Sequence, residues 1–192
     1  MMGYTCKQLA SACNGVLYSD ISEEKIIRFL CTDSRKIVFT EESMFIAITG
    51  LSHNGHDFIK SAYEKGVRCF LVSKLPEDSS RYSETAFILV PDTIVALQQI
   101  AARHRKQFDL PVIGITGSNG KTIVKEWLSQ LLTPKYQVVK SPGSYNSQIG
   151  VPLSLWHIQS YHTLGLFEAG MSKPGEMVRL AACIQPDIGV FT

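Results

Sequence analysis

Residues 112–122 (VIGITGSNGKT) constrain the fold most: five strand-like residues run into a glycine-rich turn, and the turn opens a helical pattern over 121–132. The alternation then continues. Strand 136–140 leads to a polar loop at 141–149, strand 163–168 precedes a helix at about 175–183, and Pro186-Asp187 opens a last strand at 188–191. Strands separated by helix-length segments imply βαβ units with right-handed crossovers and a mostly parallel sheet.

The preceding part reads as mixed α/β. Residues 5–13 place Leu9, Ala10 and Cys13 on one helical face, with Asn14-Gly15 as the stop. Ile26 to Cys31 is strand-like and ends in the polar turn Thr32-Asp33-Ser34-Arg35. A strand over 44–48, a loop over 52–56 and a helix over 57–65 follow, with Gly66 closing the helix. Strands at 67–72 and 86–90 flank a surface loop at 74–85. Asp92 caps a helix over 93–107 that turns Ile94, Val95, Leu97, Ile100 and Ala101 inward. Arg103, His104, Arg105 and Lys106 read as a solvated helix end of the sign favoured there. Phe108-Asp109-Leu110-Pro111 is the expected boundary, giving domains 1–107 and 108–192. The fold class is therefore α/β, with a small mixed α/β domain before a phosphate-loop parallel-sheet domain.

Composition narrows the function only by exclusion. With 19 Lys+Arg against 17 Asp+Glu in 192 residues, the net charge of +2 gives no support for a nucleic-acid partner. No apolar run approaches the ~18 residues of a membrane span, so no membrane insertion is expected. The five cysteines are scattered and the N-terminus lacks a signal-peptide pattern, which suits reduced thiols in a cytoplasmic protein. The histidines His53, His56, His104, His157 and His162 show no metal-ligand spacing and read as surface or hydrogen-bonded residues.

The chemistry concentrates in three stretches. In Gly117-Ser118-Asn119-Gly120-Lys121-Thr122 the glycines let backbone N–H groups turn toward an anion, and the helix start adds favourable partial charge. Lys121 can reach terminal phosphates and the Thr122 hydroxyl can ligate Mg²⁺, so nucleotide binding is expected. Ile115 stands where the strict phosphate-loop pattern has its first glycine. The loop 144–153 (SYNSQIGVPL) offers the amides of Asn146 and Gln148 to a polar substrate, or simply caps a helix starting near Val151. Glu168, ending an apolar strand, can bind a divalent cation beside the phosphates; the alternative is a strand-terminal carboxylate facing water. Glu176, in the first turn of the following helix, reads as structural.

Taken in order, GITGSNGKT, SYNSQIGVPLSL and FEAGMSKPGEM resemble the central ATP-binding domain of the Mur ligases. Thr32-Asp33-Ser34-Arg35, Met44-Phe45-Ile46-Ala47, Asn54-Gly55-His56-Asp57-Phe58 and Gly66 resemble the family's substrate domain. The N-x-x-I-G-V-P-L stretch is most similar to the branch that adds D-alanyl-D-alanine. The resemblance implies an ATP-dependent amide ligase of peptidoglycan precursor synthesis acting through an acyl phosphate. Its implied substrates are a UDP-N-acetylmuramoyl-peptide and D-alanyl-D-alanine, and the protein would act as a monomer. Lys121 would be catalytic, Thr122 and Glu168 would hold Mg²⁺, Ser34 and Arg35 would meet the UDP-bearing substrate, and Asn146 and Gln148 the muramoyl-peptide.

The same resemblance implies that residues 108–192 are only the first part of the ATP-binding domain, so that this chain would not catalyse ligation by itself. Other Mur-type ligases (tripeptide-forming or folate-glutamate) and a non-catalytic nucleotide-sugar module are the competing readings.

Overall fold

The structure, a computed structural model, describes residues 2–22, 25–50 and 53–192. Ser52, which opens the expected 52–56 loop, lies outside the described residues. Two compact units are present, Met1–Leu97 and Gln98–Thr192.

In chain order the first unit holds β1 (Tyr4–Thr5), α1 (Cys6–Ala12), β2 (Val16–Ser19), β3 (Ile26–Ile27), β4 (Phe29–Cys31), β5 (Ser43–Ile46), α2 (Ile59–Glu64), β6 (Cys69–Val72) and β7 (Ala86–Leu89). Helix α3 (Thr93–Arg105) runs across the division between units, which falls some ten residues before the boundary expected at Phe108. One sheet has the order β2-β7-β6-β5-β4, parallel except for β2; β1 and β3 form a separate antiparallel pair.

Local chemistry explains these elements. Thr5 and Gln8 close a reciprocal capping box at the start of α1: the Gln8 N–H donates to Thr5 Oγ1 at 3.2 Å, and the Thr5 N–H donates to Gln8 Oε1 at 2.9 Å. Asp92 accepts from the N–H groups of Ile94 and Val95 at 2.8 and 3.1 Å, the expected cap of α3. The central strands β5, β6 and β7 bury Phe45, Phe70 and Phe87 with Ala47, Ile59 and Val67.

Two features depart from the sequence expectation. The single strand expected over 26–31 is split at Arg28, because residues 26–27 pair with β1 while 29–31 pair with β5. Strand β2 has no counterpart in the sequence reading: its residues are mostly exposed, and its partner β7 lies some seventy residues away.

The second unit contains β8 (Val112–Thr116), α4 (Lys121–Leu132), β9 (Val138–Lys140), α5 (Gly150–Leu155), β10 (Leu164–Glu168), α6 (Glu176–Ile184) and β11 (Ile188–Phe191). Its sheet is all parallel, with order β11-β8-β10-β9, so chain neighbours β8 and β9 are separated by β10. Loops at the carboxyl ends of β8, β9 and β10 therefore gather at one end of the sheet, where open α/β sheets hold ligands. The core joins Val112, Val139, Val151, Leu155 and Phe167 to Leu180 and Ile184 of α6.

Of the basic cluster ending α3, Arg103 and Lys106 are exposed as expected, but His104 and Arg105 are not solvated. His104 is buried, with Nε2 3.1 Å from the Ile158 carbonyl and its ring against Trp156 and Phe108. Arg105 is also buried; its guanidinium donates to the carbonyls of Phe108, Leu110 and Ile184 at 2.8, 3.2 and 3.3 Å. These carbonyls end the helix and the adjoining segments, and burying them unpaired would be costly. Leu110 and Phe108 pack into the second unit's core, so the expected boundary segment 108–111 belongs to that unit. All five cysteines are free thiols, and only Cys31 is not fully buried. Among the described residues, no helix is long and apolar enough to cross a membrane.

Candidate functional site

Strand β8 carries the chain to Thr116, and the next four residues turn it into α4. Two glycines allow the turn. Gly117 has φ +131° and Gly120 has φ +78°, conformations that disfavour a side chain. A Cβ on Gly117 would also stand 1.9 Å from the carbonyl oxygen of Thr192. Lys121, the first residue of α4, folds back and donates to the Gly117 carbonyl at 2.7 Å. The loop thus places a lysine beside the N–H groups of a helix start, an arrangement that favours anions.

Thr122 connects the loop to the neighbouring strand. Its hydroxyl donates to Glu168 Oε2 at 3.1 Å and lies 3.1 Å from Ser144 Oγ. A hydroxyl has a single proton, so Ser144 is the donor to Thr122. Asn146 Nδ2 approaches the same Glu168 oxygen at 3.4 Å, and the Glu168 N–H donates to Ser141 Oγ at 3.2 Å. Glu168 is fully buried, which removes the alternative of a carboxylate facing water.

A divalent cation fits this donor set. Mg²⁺ prefers hard oxygen ligands in an octahedron with bonds of 2.0–2.1 Å, whose adjacent ligands stand about 3 Å apart. The Thr122 hydroxyl and Glu168 Oε2 have that separation.

The sequence reading missed Lys125. It is fully buried one turn beyond Lys121, donates to the Ser141 carbonyl at 2.8 Å and to the Gly143 carbonyl, and stands 2.9 Å from Glu168 Oε1. That oxygen is in ion-pair contact without the alignment of a hydrogen bond, and no hydrogen bond reaches it. The i,i+4 spacing from Lys121 was the available signal, since it places both lysines on one helix face.

The remaining expected residues separate from this cluster. Gln148 is engaged within the second unit: its Oε1 accepts from Gln98 Nε2 at 2.8 Å, and its Nε2 lies 3.4 Å from the Glu176 carbonyl. The Glu176 carboxylate accepts from the N–H groups of Ser172 and Lys173 at 2.7 and 3.0 Å, and these bonds hold it below the usual carboxylate range. This is the structural role expected of it.

Ser34 and Arg35 lie in the first unit, in a short 3₁₀ turn capped by Asp33. Arg35 grips both Asp33 oxygens at 2.9 Å, which lowers the Asp33 carboxyl to about 2. Ser34 is buried, and its carbonyl accepts from Lys65 Nζ at 2.7 Å. Thr32, Asp33, Ser34 and Arg35 line a cavity of about 340 Å³ with His53 and Phe58. The exposed Arg35 guanidinium is a ready partner there for an anionic group.

Comparison with known proteins matches both units. The profile described as the Mur ligase middle domain covers residues 115–192, and the one described as the Mur ligase family, catalytic domain, covers residues 26–105. The chain belongs to the Mur ligase family. It is 35% identical over 193 residues to the UDP-N-acetylmuramoyl-tripeptide–D-alanyl-D-alanine ligase of Bacillus subtilis (strain 168), covering 100% of this chain and 41% of that protein. The ligase of the same name from Treponema pallidum (strain Nichols) is 38% identical over 167 residues, covering 83% of this chain and 36% of that protein.

Among solved structures, a crystal structure of MurF from Acinetobacter baumannii superposes with a TM-score of 0.90 at 29% identity, covering 100% of this chain and 41% of the other. MurF ligase from Thermotoga maritima in complex with ADP gives 0.74 at 30% identity, covering 85% and 37%. This Mur ligase chain spans about two-fifths of the length of the curated relatives it matches.

Proposed function

We propose that the chain serves the ATP-dependent joining of D-alanyl-D-alanine to a UDP-N-acetylmuramoyl-tripeptide in peptidoglycan precursor synthesis. The first unit would hold the UDP-bearing substrate and the second the nucleotide, in a cytoplasmic enzyme. The observation that carries this reading is the convergence of Lys121, Thr122 and buried Glu168 on one glycine loop. Relatives named for this reaction support the choice of substrates.

In the proposed reaction the tripeptide's terminal carboxylate attacks the γ-phosphorus of ATP. A C–O–P acyl phosphate forms and ADP leaves. The dipeptide's amine then attacks the acyl carbon, forming the amide, losing a proton and releasing phosphate. The first step brings two anions together, so the site must offset their repulsion before attack.

Lys121 would leave the Gly117 carbonyl for the terminal phosphates, while the N–H groups at the start of α4 receive the remaining phosphate oxygens. Thr122 and Glu168 would hold Mg²⁺, which when bound neutralises phosphate charge and fixes the orientation of the phosphate chain. Asn146, beside Glu168, would face the muramoyl-peptide side. Gln148 would act there only after exchanging its bond with Gln98. Asp33 would keep Arg35 extended toward the diphosphate of the UDP group.

Calorimetric titration with MgADP tests the reading. Lys121→Ala removes one charged donor, an interaction of about 1.5–3 kcal/mol, and should weaken MgADP by about 10- to 150-fold. Unchanged affinity would exclude Lys121 from the nucleotide site. UDP-N-acetylmuramoyl-tripeptide should bind with the same affinity to both proteins.

A further inference from the structure

We propose that Lys125 is a positioning residue for the metal-binding carboxylate, holding Glu168 so that Oε2 faces Thr122. This rests on the magnesium-nucleotide reading above. The ammonium has three donors. Two are committed to the carbonyls of Ser141 and Gly143, which anchor the head group to the loop after β9. The remaining positive face meets Glu168 Oε1 at 2.9 Å and Glu126 Oε1 at 3.3 Å. Glu126 is itself paired with Lys140, so it is shared between two cations, whereas Glu168 has only Lys125 as a cationic partner among the described residues.

A buried ion pair is a poor stability device, because desolvating both groups offsets most of their attraction. This one has a geometric consequence instead. A carboxylate held at one oxygen presents the other, and here the other is the oxygen that accepts from Thr122 and Asn146. The carbonyl anchors belong to the stretch that carries Ser144, the donor to Thr122. Lys125 therefore ties together the helix after the phosphate loop, the loop after β9 and the end of β10. Partners that orient metal ligands typically contribute about 10- to 100-fold to metal affinity.

The readout is the ratio of ADP affinity with Mg²⁺ to that in EDTA, measured by calorimetry on the 192-residue protein. Wild type should bind ADP more tightly with Mg²⁺. Failure to bind ADP at all would sink the nucleotide reading, and binding without any Mg²⁺ preference would sink the metal site and the role of Lys125 with it. Lys125→Met should reduce the Mg²⁺ preference by about tenfold while changing metal-free ADP affinity by less than about twofold. A folded Lys125→Met chain with an undiminished preference overturns the proposal.

Should circular dichroism show that Lys125→Met does not fold, the comparison moves to Glu168→Gln with and without Lys125→Met. The double variant has lost both charges and leaves no uncompensated ion. If Lys125 acts through Glu168, these two chains have the same Mg²⁺ preference within about twofold. A further loss in the double variant would mean that Lys125 acts by another route.

Discussion

His104 should make the second unit acid-sensitive in a way that one substitution removes. The residue is 1% exposed, its Nε2 donates to the Ile158 carbonyl at 3.1 Å, and its ring centroid lies 4.6 Å from that of Trp156. Burial is the main cause that pushes the imidazole down from 6.5 to about 4, reinforced by the neighbouring His157. A folded-state value below the unfolded one gives stability that is fully present above pH 6.5 and lost as the pH falls toward 4, because only the unfolded chain takes up the proton. At 1.36 kcal/mol for each tenfold change in proton affinity, that interval corresponds to about 3 kcal/mol.

His104→Gln retains an N–H for the Ile158 carbonyl and does not titrate. At about pH 7.5 it should be less stable than wild type by about 1–2 kcal/mol, from lost ring packing. Near pH 4 the order should reverse, as wild type alone loses the His104 contribution. Urea unfolding followed by tryptophan fluorescence reads the second unit alone, because Trp127 and Trp156 both lie there. His162 is also lowered, mainly by burial, and gives both proteins a common acid slope, so the decisive quantity is the difference between them. A wild-type-minus-variant difference that stays constant from about pH 7.5 to 4 would refute the reasoning.

Further outcomes follow from the glycine loop and the Asp33 turn. Gly117→Ala, forced into φ +131° and against the Thr192 carbonyl, should cost the second unit about 2–3 kcal/mol and weaken MgADP. Gly189→Ala, where a Cβ meets open space, should stay within about 0.5 kcal/mol in the same urea experiment. In Arg35→Ala, the Asp33 carboxyl should titrate well above about 2, closer to its ordinary 3.8. Carbon-13 NMR of that carboxyl would show it, and a midpoint unmoved from about 2 would remove Arg35 as the cause.

Local signals were legible wherever neighbouring residues specify their own geometry. The strand at 112–116 and the helix at 121–132 have the bounds expected of them, because an apolar run, a glycine turn and a helical period are short-range patterns. Asp92 and the Gly66 stop, with φ +103°, are local for the same reason. Within the site, Lys121, Thr122 and Glu168 were readable from a loop and a strand end, and Asn146 from the next loop at the same end of the sheet.

Burial and partnership at long range were decided by the tertiary structure. Lysine, histidine and arginine read as surface residues in a helix, yet Lys125, His104 and Arg105 are buried because the carbonyls of Ser141, Ile158 and Ile184, from other segments, converge on them. Gln148 had the chemistry of a substrate contact, but Gln98, fifty residues earlier, takes its amide. Strand β2 exists because β7 offers it an edge, and the 26–31 run is split because β1 and β5 claim different halves. The sequence by itself determined the αβ alternation and the phosphate loop, since each depends on residues a few positions apart. Which cation is drawn inside beside Glu168 depends on where β9 and β10 bring their carbonyls and carboxylate, and chain folding alone settles that.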